Sequence, residues 1–157
     1  MRKQKGFSLI ELLIVVAIIL IIAAIAIPNL LKARIAANQA SAVGSLRTMV
    51  TSEVGYQSSY GTYSPDLASL GGALPCTPSA ASACLIDNTL AAAITAPKAK
   101  SGYFFTYKAG AGNVSFIINA DAASQGQSGD MHYFTDNSGV IRSNPAAAAA
   151  ATDPALQ

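Results

Sequence analysis

Along this chain the pattern of hydrophobic and polar positions changes character three times. From Leu12 to Leu31 it reads LLIVVAIILIIAAIAIPNLL, without a charged residue. Fourteen of those twenty residues are Leu, Ile or Val. As a helix they span about 30 Å, the thickness of a bilayer core. At about −0.5 kcal/mol each they favour insertion by roughly 7 kcal/mol, against a penalty of about 3 for one acidic residue in the lipid. Glu11, on the border of the run, therefore does not forbid insertion. Arg2, Lys3 and Lys5 precede the run, which predicts a cytoplasmic N-terminus and an exported C-terminal bulk.

After Leu31 the pattern becomes helical and one-sided. Leu31, Ile35, Val43, Leu46, Val50 and Val54 recur at helical steps, with Lys32, Arg34, Asn38, Gln39, Ser45, Arg47 and Ser52 mostly between them. This predicts an amphipathic continuation of the same helix. Pro28 interrupts the pattern, and a mid-helix proline predicts a kink or a locally melted turn. Residues 58–101 are loop-like, with short turns expected at SPDLASLGG (capped by Ser64) and at DNTLAAAIT (capped by Asp87). The pattern then alternates. YFFTYKA (103–109) and VSFIINA (114–120) flank GAG, and MHYFTD (131–136) and GVIRS (139–143) flank NS. Two hairpins follow, hence four short antiparallel strands. Such a sheet needs a cover for its apolar face, and the amphipathic helix is the obvious one.

The predicted fold is α+β, with a long N-terminal helix packed on a four-stranded antiparallel sheet. Its segments are a basic leader (1–6), the long helix (7–57), a variable loop (58–101), the sheet (102–144) and a low-complexity, frayed tail (145–157). Within the helix about 7–31 is transmembrane and 32–57 amphipathic.

Composition narrows the chemistry. Of 157 residues 52% are hydrophobic and 11% charged, with a single His. No Cys/His pair, carboxylate pair or phosphate-cradling loop stands out, so the reading is a structural protein, not an enzyme, with no cofactor. His132 lies in a predicted strand and reads as structural. Asp130 and Asp136 bracket the last hairpin. As hard oxygen donors they are weak calcium candidates, and ordinary turn chemistry explains them equally well. The strand aromatics read as sheet core and no basic patch accompanies them, so nucleic-acid binding has little support. Cys76 and Cys84 lack metal-site spacing. On the exported side of a membrane they predict a disulfide worth about 2.5 kcal/mol, with two packed free thiols as the alternative.

The stretch KGFSLIELLIVVAII is more specific. It resembles the class III signal of type IV pilins and of the related pseudopilins of type II secretion. The resemblance is close over residues 5–35 and only architectural beyond. It implies cleavage by a prepilin peptidase between Gly6 and Phe7, N-methylation of Phe7, an assembly role for Glu11 and a helix-loosening role for Pro28. It also implies an inner-membrane precursor, a homopolymeric filament at the cell surface or in the periplasm, and partners: an inner-membrane platform protein, an assembly ATPase and a secretin. The family's cysteines commonly lie nearer the C-terminus, so the disulfide is not carried over.

Independently, cleavage at Gly6 would remove the leader cations and leave one amine on Phe7, within a helical turn of Glu11. A charge in lipid is costly unless paired, and the amine can pair with Glu11 of its own chain or of a neighbour. Pairing with a neighbour fixes axial register, and a repeated contact that does not close gives a helical filament. The favoured reading is a major-type pilin, with a major pseudopilin second. Less favoured are a domain secreted by cleavage after Ala26, at the AIA of 24–26, and a membrane-anchored binding module.

Overall fold

The computed structural model describes residues 6–156. By contacts the chain divides at Arg34/Ile35. Helix α1, Leu9–Tyr60, runs through that division and continues unbroken across Pro28. No turn has melted there, although Pro28 has no N–H to give the Ala24 carbonyl. In the first unit every large apolar side chain from Phe7 to Leu31 is exposed. The mean hydropathy of its most apolar window is 3.3. The many β-branched Ile and Val residues here are only moderate helix formers, but Leu and Ala accompany them and no glycine falls between Phe7 and Gly44.

The second unit is built on the rest of α1. Its buried face is Ile35, Ala42, Ser45, Leu46, Met49, Ser52, Glu53 and Tyr56. That face is rotated from the predicted one. Leu31 and Val54 are exposed, while Val43 and Val50 sit at its margin. The apolar pattern misplaced the seam because two serines and one glutamate are buried in it, Ser52 and Glu53 held by hydrogen bonds to the covering loop.

That loop carries two four-residue helical turns. Helix α2, Leu67–Leu70, is capped by Asp66, whose Oδ1 accepts from Ser69 N–H at 2.8 Å. The expected cap, Ser64, instead serves Glu53. Helix α3, Asn88–Ala91, is capped by Asp87 as the sequence predicts, with Leu90 N–H at 2.8 Å. The side chains of Thr89, foremost, and Lys100 also bond the Asp87 carboxylate, and the Leu90 amide adds to them, so its pKa falls to about 2.

The sheet is an antiparallel meander of β1 (Tyr103–Ala109), β2 (Phe116–Ala122), β3 (His132–Asp136) and β4 (Arg142–Asn144), in that order. Phe105 faces Ala120, Ile118 faces Thr135 and Phe134 faces Arg142. Tyr103, Phe105, Phe116, Ile118, Ala120 and Tyr133 form one core with Ala42, Leu46, Met49 and Tyr56 of α1. The β1–β2 connection is longer than the expected three glycine-alanine residues. Gly112 (φ 65°) and Asn113 (φ 53°) take left-handed conformations in it. Val114 is β-branched and resists such a turn; it is exposed, and β2 begins two residues later than predicted. The second turn closes with Gly139 N–H on the Asp136 carbonyl at 2.9 Å.

Residues 145–156 are not frayed. Asn119 Nδ2 donates to the Ala149 carbonyl at 2.9 Å, Ala149 is buried, and the segment ends against β4. Alanine-rich sequence hides this order because its side chains carry no signal. Asn144 and Asp153, spaced to cap backbone amides at either end, do the holding.

Candidate processing and assembly site

The residues that carry the family resemblance lie at the start of α1. Ser8 occupies the N-cap position and Glu11 follows three residues later. Glu11 Oε2 accepts from Ser8 N–H at 2.9 Å. This is half of a capping box, in which a carboxylate satisfies a main-chain donor that the helix start leaves free. The carboxylate also lies where the helix dipole favours negative charge. The sequence signal was available, as Ser-Leu-Ile-Glu directly before an apolar run, and the reading by charge pairing alone passed over it.

The geometry bears on the amine that cleavage would create. Successive main-chain nitrogens are at most about 3.7 Å apart under standard bond lengths. With Oε2 at 2.9 Å from Ser8 N, a Phe7 amine lies within about 6.6 Å of it. Phe7 itself is exposed. Gly6 is also exposed, and a Cβ built on it would meet nothing within 4 Å. Among the described residues nothing places a steric demand for glycine at this position. Arg2, Lys3 and Lys5 lie outside the described residues.

Other predicted positions sit elsewhere. Cys76 and Cys84 form a disulfide, with Cα atoms 6.1 Å apart. It staples the loop beside α1, where Tyr56 O–H donates to the Ala80 carbonyl at 2.7 Å. A side chain at Gly72 would run into the Cys76 sulfur. Asp130 and Asp136 are not brought together. Asp130 precedes β3 by two residues and Asp136 is its last residue, a backbone separation of at most about 20 Å at about 3.3 Å per residue. Asp136 Oδ1 accepts from Ser138 N–H in its turn at 2.9 Å. Among the described residues no cluster of three His, Cys, Asp or Glu could hold a metal. His132 Nδ1 lies 2.6 Å from Asp121 Oδ1, a cross-strand pair on the outer face of the sheet.

Sequence reasoning missed a buried carboxylate. Glu53 is 0% exposed, on the core face of α1. Its oxygens accept from Ser64 N–H at 2.9 Å and Ser64 O–H at 2.5 Å. Tyr107 O–H in turn donates to the Ser64 carbonyl at 2.8 Å. Burial pushes the Glu53 carboxyl above its ordinary value, against the pull of the Ser64 hydrogen bonds. Burial likewise pushes the Tyr107 phenol far up. The cluster ties helix, loop and sheet together, so it is a structural joint.

Comparison with known proteins places the weight on the N-terminus. A family model described as the prokaryotic N-terminal methylation motif matches residues 1–27. The chain is 49% identical over 70 residues to the type IV wide pilus major component PilA4 of Thermus thermophilus. That alignment covers 45% of this chain and 53% of the relative. It is 45% identical over 62 residues to the type IV major pilin protein PilA of Myxococcus xanthus, covering 40% of this chain and 28% of that protein. The chain thus spans about half the length of the first relative and less of the second. It carries the N-terminal methylation motif and has type IV major pilins among its homologues.

Proposed function

We propose that this chain is the major structural subunit of a type IV pilus. Its precursor sits in the inner membrane by residues 7–31. A prepilin peptidase cuts between Gly6 and Phe7, and Phe7 is then N-methylated. The subunits polymerise through α1, and the filament reaches the cell surface. The observation that carries this reading is the coincidence at one helix start. A glycine on which no described residue places a steric demand precedes a carboxylate held within about 6.6 Å of the amine that cutting there would free. The aliphatic surface of residues 9–31 is the apolar face that lipid covers first and neighbouring copies later. Glu11 supplies register, because a charge buried in that surface requires the amine of a neighbour or of its own chain. Pro28 serves as a point where α1 can loosen or bend during transfer from lipid to filament. A platform protein, an assembly ATPase and a secretin are the partners this mode of export requires.

Mass spectrometry of the mature N-terminus, joined to electron microscopy of sheared filaments, tests the reading. Methylated Phe7 in filament subunits is the expected result. A chain beginning at Ile27, or filaments unchanged when this protein is deleted, would overturn it.

A further inference from the structure

One edge of the sheet carries a cover made of the chain itself. The groups of β4 and of Ile141 just before it that point away from β3 are the Ile141 carbonyl and the N–H and C=O of Ser143. Ser143 N–H donates to the Pro154 carbonyl at 3.2 Å, and Leu156 N–H donates to the Ile141 carbonyl at 2.7 Å. Side chains fasten the covering segment. Arg142 Nη1 donates to the Asp153 carbonyl at 2.8 Å, and Asn144 Nδ2 to Asp153 Oδ1 at 3.0 Å. Pro154 has no N–H, so the added strand cannot continue its ladder to the Ser143 carbonyl. Among the described residues its own outward groups are those of Ala155. An edge one residue long beside a proline is a poor template for another strand.

A bare β4 edge would be different. Acceptor, donor and acceptor would follow one another from Ile141 to Ser143. Two such edges set antiparallel are complementary, with the Ile141 carbonyl of each facing the Ser143 N–H of the other, the isologous contact of a two-fold pair. We propose that residues 153–156 are an edge guard: they occupy in cis a strand-pairing surface that otherwise takes the same edge of a second copy. In a filament, where copies are crowded, the guard would leave the hydrophobic helix as the adhesive element; this last consequence rests on the pilus reading, whereas the guard does not.

Amide hydrogen exchange on the full chain in detergent micelles tests it at several protein concentrations. Leu156→Pro removes the donor to Ile141. Arg142→Ala with Asn144→Ala removes the side-chain fastening. In the wild type, exchange at Ser143 should be slow and independent of concentration. In both variants it should rise at least about tenfold in dilute protein, the equivalent of about 1.4 kcal/mol. It should slow again in concentrated protein as second copies pair, while Leu46 and Phe105 amides stay protected throughout. Slow exchange at Ser143 at every concentration would overturn the guard. Fast exchange at every concentration would overturn the second copy as its alternative occupant. Loss of protection at Leu46 in Leu156→Pro would show the segment to be part of the core, and so also overturn the guard. Because these readouts need no filament, they separate failure of the guard from failure of the pilus reading.

Discussion

Glu11 has two tasks that a single substitution can separate. In the structure its carboxylate satisfies Ser8 N–H, an N-terminal capping interaction of the kind worth about 1 kcal/mol. In a filament it would neutralise an amine inside apolar surroundings, where an unpaired charge costs about 3–5 kcal/mol. Glu11→Ala should therefore leave insertion and cleavage nearly intact, because α1 remains strongly apolar. Assembly should fall by more than about a hundredfold, given about 1.4 kcal/mol per factor of ten. Immunoblots of sheared filaments and membranes check this, with mass spectrometry to confirm the cut; normal filament yield would reduce Glu11 to a helix cap. Thr135 makes a contrasting case at the same scale. It is 0% exposed, and its hydroxyl has no hydrogen-bond partner among the described residues. Val has nearly the same shape and no donor to strand, so Thr135→Val should stabilise the fold, by about 1 kcal/mol. A lowered urea midpoint would show that the hydroxyl is satisfied in solution.

At the scale of elements, the joint between α1, the loop and β1 depends on Glu53. Its folded pKa is raised, with burial as the first cause. The folded protein therefore holds this proton more tightly than the unfolded chain does. The associated stability is fully present below the ordinary value of 4.5 and is lost as pH rises through the raised folded value. Glu53→Gln keeps an acceptor for Ser64 without the titration. Wild-type stability should thus decline relative to Glu53→Gln as pH climbs above about 4.5. Urea unfolding at a series of pH values measures this, and parallel curves would refute it. Glu53→Ala, which strands the Ser64 donors, should cost about 2–4 kcal/mol below about pH 4.5, and less as pH rises and the wild type itself loses stability. This joint also shows where the sequence is hard to read. Alternation and turn residues placed β1 and the sheet order, because a period of two is explicit in YFFTYKA. Asp87 announced α3 by its cap. The α1 seam was misplaced since Ser45, Ser52 and Glu53 look like solvent positions until the loop that covers them is known. Ser64 was assigned as a cap from local spacing, but a long-range carboxylate claimed it. The tail's fastening is invisible for the same reason: each of its bonds joins residues that sequence distance separates.

For the whole molecule, the division of the chain at Arg34/Ile35 makes a strong claim about independence. Every member of the hydrophobic core from Ala42 to Ile141 lies in the second unit. The large apolar side chains of residues 7–31 are all exposed, and none of these residues belongs to that core. What they supply is attachment, to lipid or to other copies. A fragment beginning at Ile35 should therefore fold by itself and remain soluble and monomeric. Amphipathic α1 retains its partners there, including Tyr56 on Ala80 and Glu53 on Ser64. The disulfide stays intact and should contribute about 2.5 kcal/mol by closing its short loop, so reduction should lower the urea midpoint. The fragment's near-ultraviolet circular dichroism should match the corresponding signal of the full chain in detergent, since every aromatic residue except Phe7 is retained. Sedimentation should report a single small species, and mixing the fragment with full-length subunits should not place it in filaments. A fragment that aggregates or loses aromatic dichroism would mean that residues before Ile35 support the core. A fragment that enters filaments would mean that the body, rather than the apolar helix, carries assembly.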